Sequence, residues 1–173
     1  MPPHPFYRRL LKEYKALNAT TLPGITLISN DENLTDFIFQ IKISNHNLYP
    51  ETDLYYLSIQ ITEDYPVDCP QVKFIIYEPP IDLTQDDDTS SIEIIEKSTI
   101  PIHPHIYSNG HICLNLLGED WTPACSIESI LLSIQSMLNT NDKLERPPDN
   151  ESYIRHAPLN PKRTRFVYHD DNV

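Results

Sequence analysis

Four segments rich in β-branched and aromatic residues follow one another with no helical stretch between them: ITLIS at 25–29, DFIFQIKIS at 36–44, LYYLSIQIT at 54–62 and QVKFIIY at 71–77. Asn, Asp and Pro stand between them, residues that favour turns. Parallel neighbours need long, usually helical, crossover connections, so strands that follow one another without helices pair antiparallel. The chain is therefore expected to build a four-stranded antiparallel meander within an α+β fold. A sheet of this kind must bury one face against something else.

Two helices are available for that purpose. Phe6, Leu10, Tyr14 and Leu17 recur at helical spacing, while Arg8, Arg9, Lys12 and Lys15 fall largely between them, giving an N-terminal amphipathic helix with a basic outer face. Pro23-Gly24 ends that region. Further on, Ser126 offers an N-cap, Glu128 suits the positive end of the helix dipole, and Ile127, Ile130, Leu131, Ile134 and Leu138 form a buried stripe. This second helix is expected to cross the sheet as its main cover.

A length of 173 residues suits one domain of ordinary size. The division expected is a core at 1–146, carrying an acidic surface insertion at 78–98, and a flexible C-terminal tail at 147–173. The insertion holds Asp82, Asp86, Asp87, Asp88, Glu93 and Glu96; the tail holds Pro147, Pro148, Pro158 and Pro161, which argue against a long final helix. A net charge of -12, with 13 basic residues that form no single stripe, makes nucleic acid a poor primary partner and points to protein partners. The longest apolar runs are broken by polar residues and too short for a bilayer, so no membrane partner is expected. Cys69, Cys113 and Cys125 are sparse and odd in number, and no apolar h-region follows Met1 to Pro5. Both features favour a reducing, intracellular setting over a disulfide framework.

The chemistry concentrates in HPHIYSNGHICLN at 103–115, where His103, His105 and His111 lie within ten residues of Cys113. Their spacing lacks the paired C-x2-C and H-x3-H pattern of structural zinc sites, and strand alternation would split them between directions, so no metal is expected. A cysteine protease would need Cys, His and an orienting Asn or Asp, but nothing local marks that pairing. From the residues alone, Cys113 also reads as a buried apolar filler between Ile112 and Leu114.

Its company changes the balance. His103-Pro104-His105, then Gly110-His111-Ile112-Cys113-Leu114, then Trp121-Thr122-Pro123-Ala124 resemble, in order and spacing, the active-site region of ubiquitin-conjugating enzymes, the E2 family. DYPVDCPQVKF, beginning at Asp64, resembles that family's YPFxPPxVxF. The likeness covers roughly residues 5–145. Two departures, HPH in place of HPN and a tail PPDNESYIR followed by NPKRTRFVYHDD, resemble the W-type branch, which places ubiquitin on the α-amino group of protein N-termini.

The resemblance implies a UBC fold with an active-site flap, no cofactor, and Cys113 as the thioester cysteine. It implies ubiquitin, an E1, RING or U-box E3 ligases and proteins with free N-termini as partners, in the cytoplasm or nucleus. His103, Pro104, Asn109, Gly110 and Trp121 would shape the active site, and Glu145 falls near the family's acidic acceptor gate. His105 stands where the family has asparagine, so a catalytic and a structural role are both open. Arg8, Arg9 and Lys12 match the helix face met by E1. Tyr65, Pro66 and Val67, with Thr122, Pro123 and Ala124, match the loops gripped by E3, Val67 replacing the usual phenylalanine. Leu132 and Ser136 match positions that touch conjugated ubiquitin, and Tyr153, Phe166 and Tyr168 are the aromatic residues of a tail expected to select the acceptor. The alternatives are a lysine-directed E2 and a catalytically inert binding module on the same scaffold.

Overall fold

The computed structural model describes residues 3–78 and 96–164. Helix α1 (Tyr7–Ala19) leads into strands β1 (Ile25–Asn30), β2 (Asp36–Ile41), β3 (Asp53–Gln60) and β4 (Gln71–Ile75). A short strand β5 (Lys97–Ser98), helix α2 (Ile127–Asn139) and helix α3 (Asn150–His156) follow, with 3₁₀ turns at Asn115–Leu117 and Pro161–Arg163. The sheet order is β1-β2-β3-β4, every neighbour antiparallel, so the expected meander is present. β5 adds two residues parallel to the start of β3, which the sequence pattern had not indicated. Of the expected insertion at 78–98, residues 79–95 lie outside the described residues.

One face of the meander is apolar because its inward residues stand opposite one another. Phe37 faces Ile59, Phe39 faces Leu57, and Ile41 faces Tyr55 across β2 and β3; Leu57 then meets Phe74, and Ile59 meets Val72, across β3 and β4. All of these are buried in a single core with Ile127, Ile130, Leu131, Ile134 and Leu138 of α2. Burial of each such aliphatic side chain contributes about 1.5–3 kcal/mol. The N-terminus of α2 is fixed by a reciprocal cap, Ser126 Oγ accepting from the Ser129 N–H while Ser129 Oγ accepts from the Ser126 N–H. Its far end is tied to the segment that follows β2, where the Ser44 N–H donates to Asn139 Oδ1 at 2.7 Å. α2 therefore crosses the sheet, as its apolar stripe requires.

Glu13 of α1 joins three segments. Its carboxylate accepts from the Tyr65 hydroxyl at 2.8 and 2.9 Å, from Arg9 Nε at 2.8 Å and from the Ile127 N–H, the first residue of α2, at 3.0 Å.

The tail expected at 147–173 is described through residue 164, and residues 147–164 form a strap folded back on the core. Pro147, Asn150 and Pro161 are buried, and the Tyr153 ring stacks on Tyr107 at 3.8 Å between centroids. The reason is tertiary: buried aromatic contact and specific hydrogen bonds outweigh what composition alone predicts for a proline-rich segment. The prolines do keep α3 to seven residues. Phe166 and Tyr168 lie outside the described residues.

Candidate active site

Cys113 sits on an irregular flap stitched to the edge of the sheet. The Phe74 N–H donates to the Gly110 carbonyl at 2.9 Å, and Gly110 has φ +90°. A Cβ at Gly110 would fall 2.0 Å from the Phe74 carbonyl oxygen, so both the conformation and the close approach demand glycine. Asn109 Oδ1 accepts from the His111 N–H at 3.1 Å, closing the Asn-Gly turn. The two arms of the flap then pair: the Tyr107 N–H donates to the His111 carbonyl at 2.9 Å, and the Cys113 N–H to the His105 carbonyl at 2.8 Å.

The histidines divide their work. Buried His103 accepts the His105 N–H on Nδ1 at 2.9 Å and hydrogen-bonds the Met137 backbone of α2, so its remaining proton is on Nε2. Burial, followed by the neighbouring His105, pushes its pKa down to about 4. His105 is half-buried, its ring 5.4 Å from that of His103. His111 turns to the strap instead: Nδ1 lies 2.6 Å from the Tyr153 hydroxyl, and the ring hydrogen-bonds the Leu159 backbone. The three rings do not converge on one point, and among the described residues no group of three or more His, Cys, Asp or Glu could hold a metal ion.

Cys113 itself is 3% exposed. Burial, with a smaller contribution from the charge of Asp149, pushes its pKa up to about 12. Asp149 belongs to the strap and accepts the Tyr107 hydroxyl at 3.0 Å on Oδ1. Two clefts share Leu114, the residue that follows Cys113, as a lining residue. The first runs past Cys69, Leu117, Pro161, Lys162 and Thr164. The second, about 1010 Å³, gathers His103, Pro104, His105, Leu132, Ser136 and Glu145, with Pro148 on its rim. Six residues chosen from sequence thus meet in one cleft, which Leu114 also lines.

A match to the family model described as ubiquitin-conjugating enzyme spans residues 9–164, almost the whole described chain. The chain belongs to the ubiquitin-conjugating enzyme family. It is 37% identical over 166 residues to a probable ubiquitin-conjugating enzyme E2 W-A of Danio rerio, covering 95% of each chain. It is 36% identical over 170 residues to a ubiquitin-conjugating enzyme E2 W of Caenorhabditis elegans, covering 96% of each. A crystal structure of a ubiquitin-conjugating enzyme E2 from Agrocybe aegerita superposes with a TM-score of 0.70 at 34% identity, over 90% of this chain and 96% of that one. The fold is that of an E2, the activity is that of a ubiquitin transferase, and ubiquitin, an E1 and E3 ligases are the partners that membership implies.

The remaining sequence-chosen residues of this E2 gather at the other end of α2. Arg9 donates to the carbonyls of Pro123 at 2.6 Å and Cys125 at 2.5 Å, and its guanidinium carbon lies 5.5 Å from the Tyr65 ring centroid. Trp121 Nε1 donates to the Pro66 carbonyl at 2.9 Å, so this indole braces the two loops. Val67 is 68% exposed, Thr122, Pro123 and Ala124 are exposed, and Arg8 and Lys12 face outward from α1. Among the described residues no helix is long and apolar enough to cross a membrane.

Sequence reasoning missed Tyr107, Asp149, Asn150 and Lys162. A signal existed for two of them: Asp149-Asn150 after Pro147-Pro148, with Glu151 next and Arg155 and His156 at the far end, is a helix-start and helix-stop pattern. Nothing local marks Tyr107 or Lys162.

Proposed function

We propose that this E2 carries ubiquitin on Cys113 and delivers it to the α-amino group of polypeptide N-termini. Cys113 attacks the carbonyl of the E1-bound thioester and the E1 thiol leaves. The acceptor amine then attacks the Cys113 thioester, an amide forms, and the Cys113 thiol leaves with a proton. The observation that supports the finer reading is the strap: the likeness to the E2 W relatives runs through it, and it packs on the flap that carries Cys113.

An α-amine, with a reference pKa of about 7.7–8.0, is partly neutral near neutral pH, whereas lysine at about 10.4 must lose its proton at an extra cost of roughly 3 kcal/mol. A site specialised for the former can dispense with groups that suppress lysine protonation. His105 replaces an asparagine here, and as a half-buried imidazole on the cleft wall it is the candidate to support the amine or the oxyanion. Glu145, exposed in the same cleft, leaves room for lysine acceptors. On this reading α1 and the 65–67 and 122–124 loops receive E1 and E3, Leu132 and Ser136 receive ubiquitin, and Tyr153 belongs to the acceptor-facing tail.

The test is mass spectrometry of products formed with E1, ubiquitin and lysine-containing peptides whose N-termini are free or acetylated. Cys113→Ser should abolish the thiol-labile adduct. Acetylation should block transfer, and His105→Ala should slow discharge of preformed thioester while sparing its formation. Equal modification of the acetylated peptide would make this a lysine-directed E2.

A further inference from the structure

A thiol that must exchange acyl groups with a second protein has to be reached by it, yet Cys113 is 3% exposed. The strap packs on the flap that carries it. Pro148, at the start of the strap, lines one cleft, while Pro161, Lys162 and Thr164, at its end, line the other; Leu114, the residue after Cys113, is common to both. Residues 149–160 therefore run between the two clefts across the flap. One of them, Tyr153, packs on Tyr107 and His111 of the flap, and the Asp149 carboxylate, which accepts the Tyr107 hydroxyl, adds to the burial that pushes the Cys113 pKa up.

The hold is specific and distributed. Tyr153 stacks on Tyr107 at 3.8 Å, and its hydroxyl meets His111 at 2.6 Å. The Ser108 N–H donates to Asn150 Oδ1 at 2.9 Å, and Asn150 is buried. Lys162 donates to the carboxylate of Asp68 and the carbonyl of Cys69, in the loop between β3 and β4. Apart from this loop, every one of these partners belongs to the flap that carries the cysteine.

We infer that the strap is a self-docked cover, held by Tyr107, Ser108 and His111 of the flap and by the Asp68–Cys69 loop, and that it must lift for Cys113 to receive ubiquitin. The inference rests on Cys113 being the reactive cysteine and is independent of acceptor choice. In the closed state the thiol is also kept protonated by burial and by Asp149, so covering and chemical quieting act together. A local opening of a terminal segment, held by a few side-chain contacts, needs far less than global unfolding.

The experiment is alkylation of the full-length, uncharged enzyme with iodoacetamide, read as separate rates at Cys113 and at half-buried Cys125 by peptide mass spectrometry. Removing one stacked ring should raise the open fraction, so Tyr153→Ala should speed alkylation at Cys113 about fivefold and leave Cys125 unchanged. Lys162→Ala, which leaves the aromatic packing in place, should act in the same direction, and both variants should charge faster from E1 in a single turnover. If either variant, with circular dichroism like that of the parent, alkylates Cys113 at the parental rate, the strap is not a cover. Should Tyr153→Ala fail to fold, Lys162→Ala decides the matter alone. Faster alkylation at Cys113 without faster charging would keep the cover and remove the requirement that it gate ubiquitin loading, which overturns the second half of the inference.

Discussion

His103 illustrates how a catalytic-looking residue can be read in two ways until its neighbours are known. In sequence it is one of three histidines beside a cysteine; in the fold it is a buried crosspiece between the His105 backbone and α2. That role has a measurable pH dependence. With a folded pKa near 4 against a reference of about 6.5, the unfolded chain binds a proton that the folded chain refuses. The stability it contributes is complete above pH 6.5, declines as pH falls through the window from 6.5 to 4, and declines no further below that. At pH 5 the loss should be about 2 kcal/mol. His111, shifted down by burial and Lys73, adds in the same direction. Urea midpoints measured at pH 7 and pH 5 should differ more in the parent than in His103→Gln; an unchanged difference would mean that His103 titrates normally.

Elements defined by their own periodicity were legible, and those defined by a partner were not. β1 to β4 and both long helices follow from alternation and from i, i+3, i+4 spacing, because each element carries its own apolar face. The ends were less legible: DFIFQIKIS suggested strand through residue 44, but β2 stops at Ile41, whose partner Ile25 is the first residue of β1. α3 escaped altogether because seven residues cannot sustain a helix by propensity, and its support comes from the flap. The junction before it carries no sequence signal at all. Arg146 donates from Nη1 to the carbonyls of Pro101 at 2.6 Å and Ile106 at 3.0 Å, and from Nη2 to that of Ile100 at 3.0 Å, pinning the flap where the strap begins. Arg146→Ala should cost about 2–4 kcal/mol in denaturant unfolding, because three carbonyls lose a charged donor. Arg146→Lys should recover only part of this, since an ammonium cannot reproduce the planar fork.

For the molecule as a whole, the candidate cysteine was legible because the motifs around it fall within some twenty residues of sequence, whereas the strap on its flap was not, because Ser108 and Asn150 meet across 42 residues of chain. Glu13 shows the same separation at a larger scale, gathering Tyr65 from 52 residues away and Ile127 from 114. Its consequence lies in the order of assembly. Closing loops of that length is entropically expensive until the sheet and α2 have already come together, so these bonds belong to the final stage of folding. In a chevron experiment, Glu13→Gln should therefore leave the folding limb nearly where it is and raise the unfolding limb, by roughly tenfold in unfolding rate for each 1.4 kcal/mol removed. A slowed folding limb would place the carboxylate in the nucleus. On the expected outcome, this one side chain sets how long the native state lasts rather than how fast it is reached.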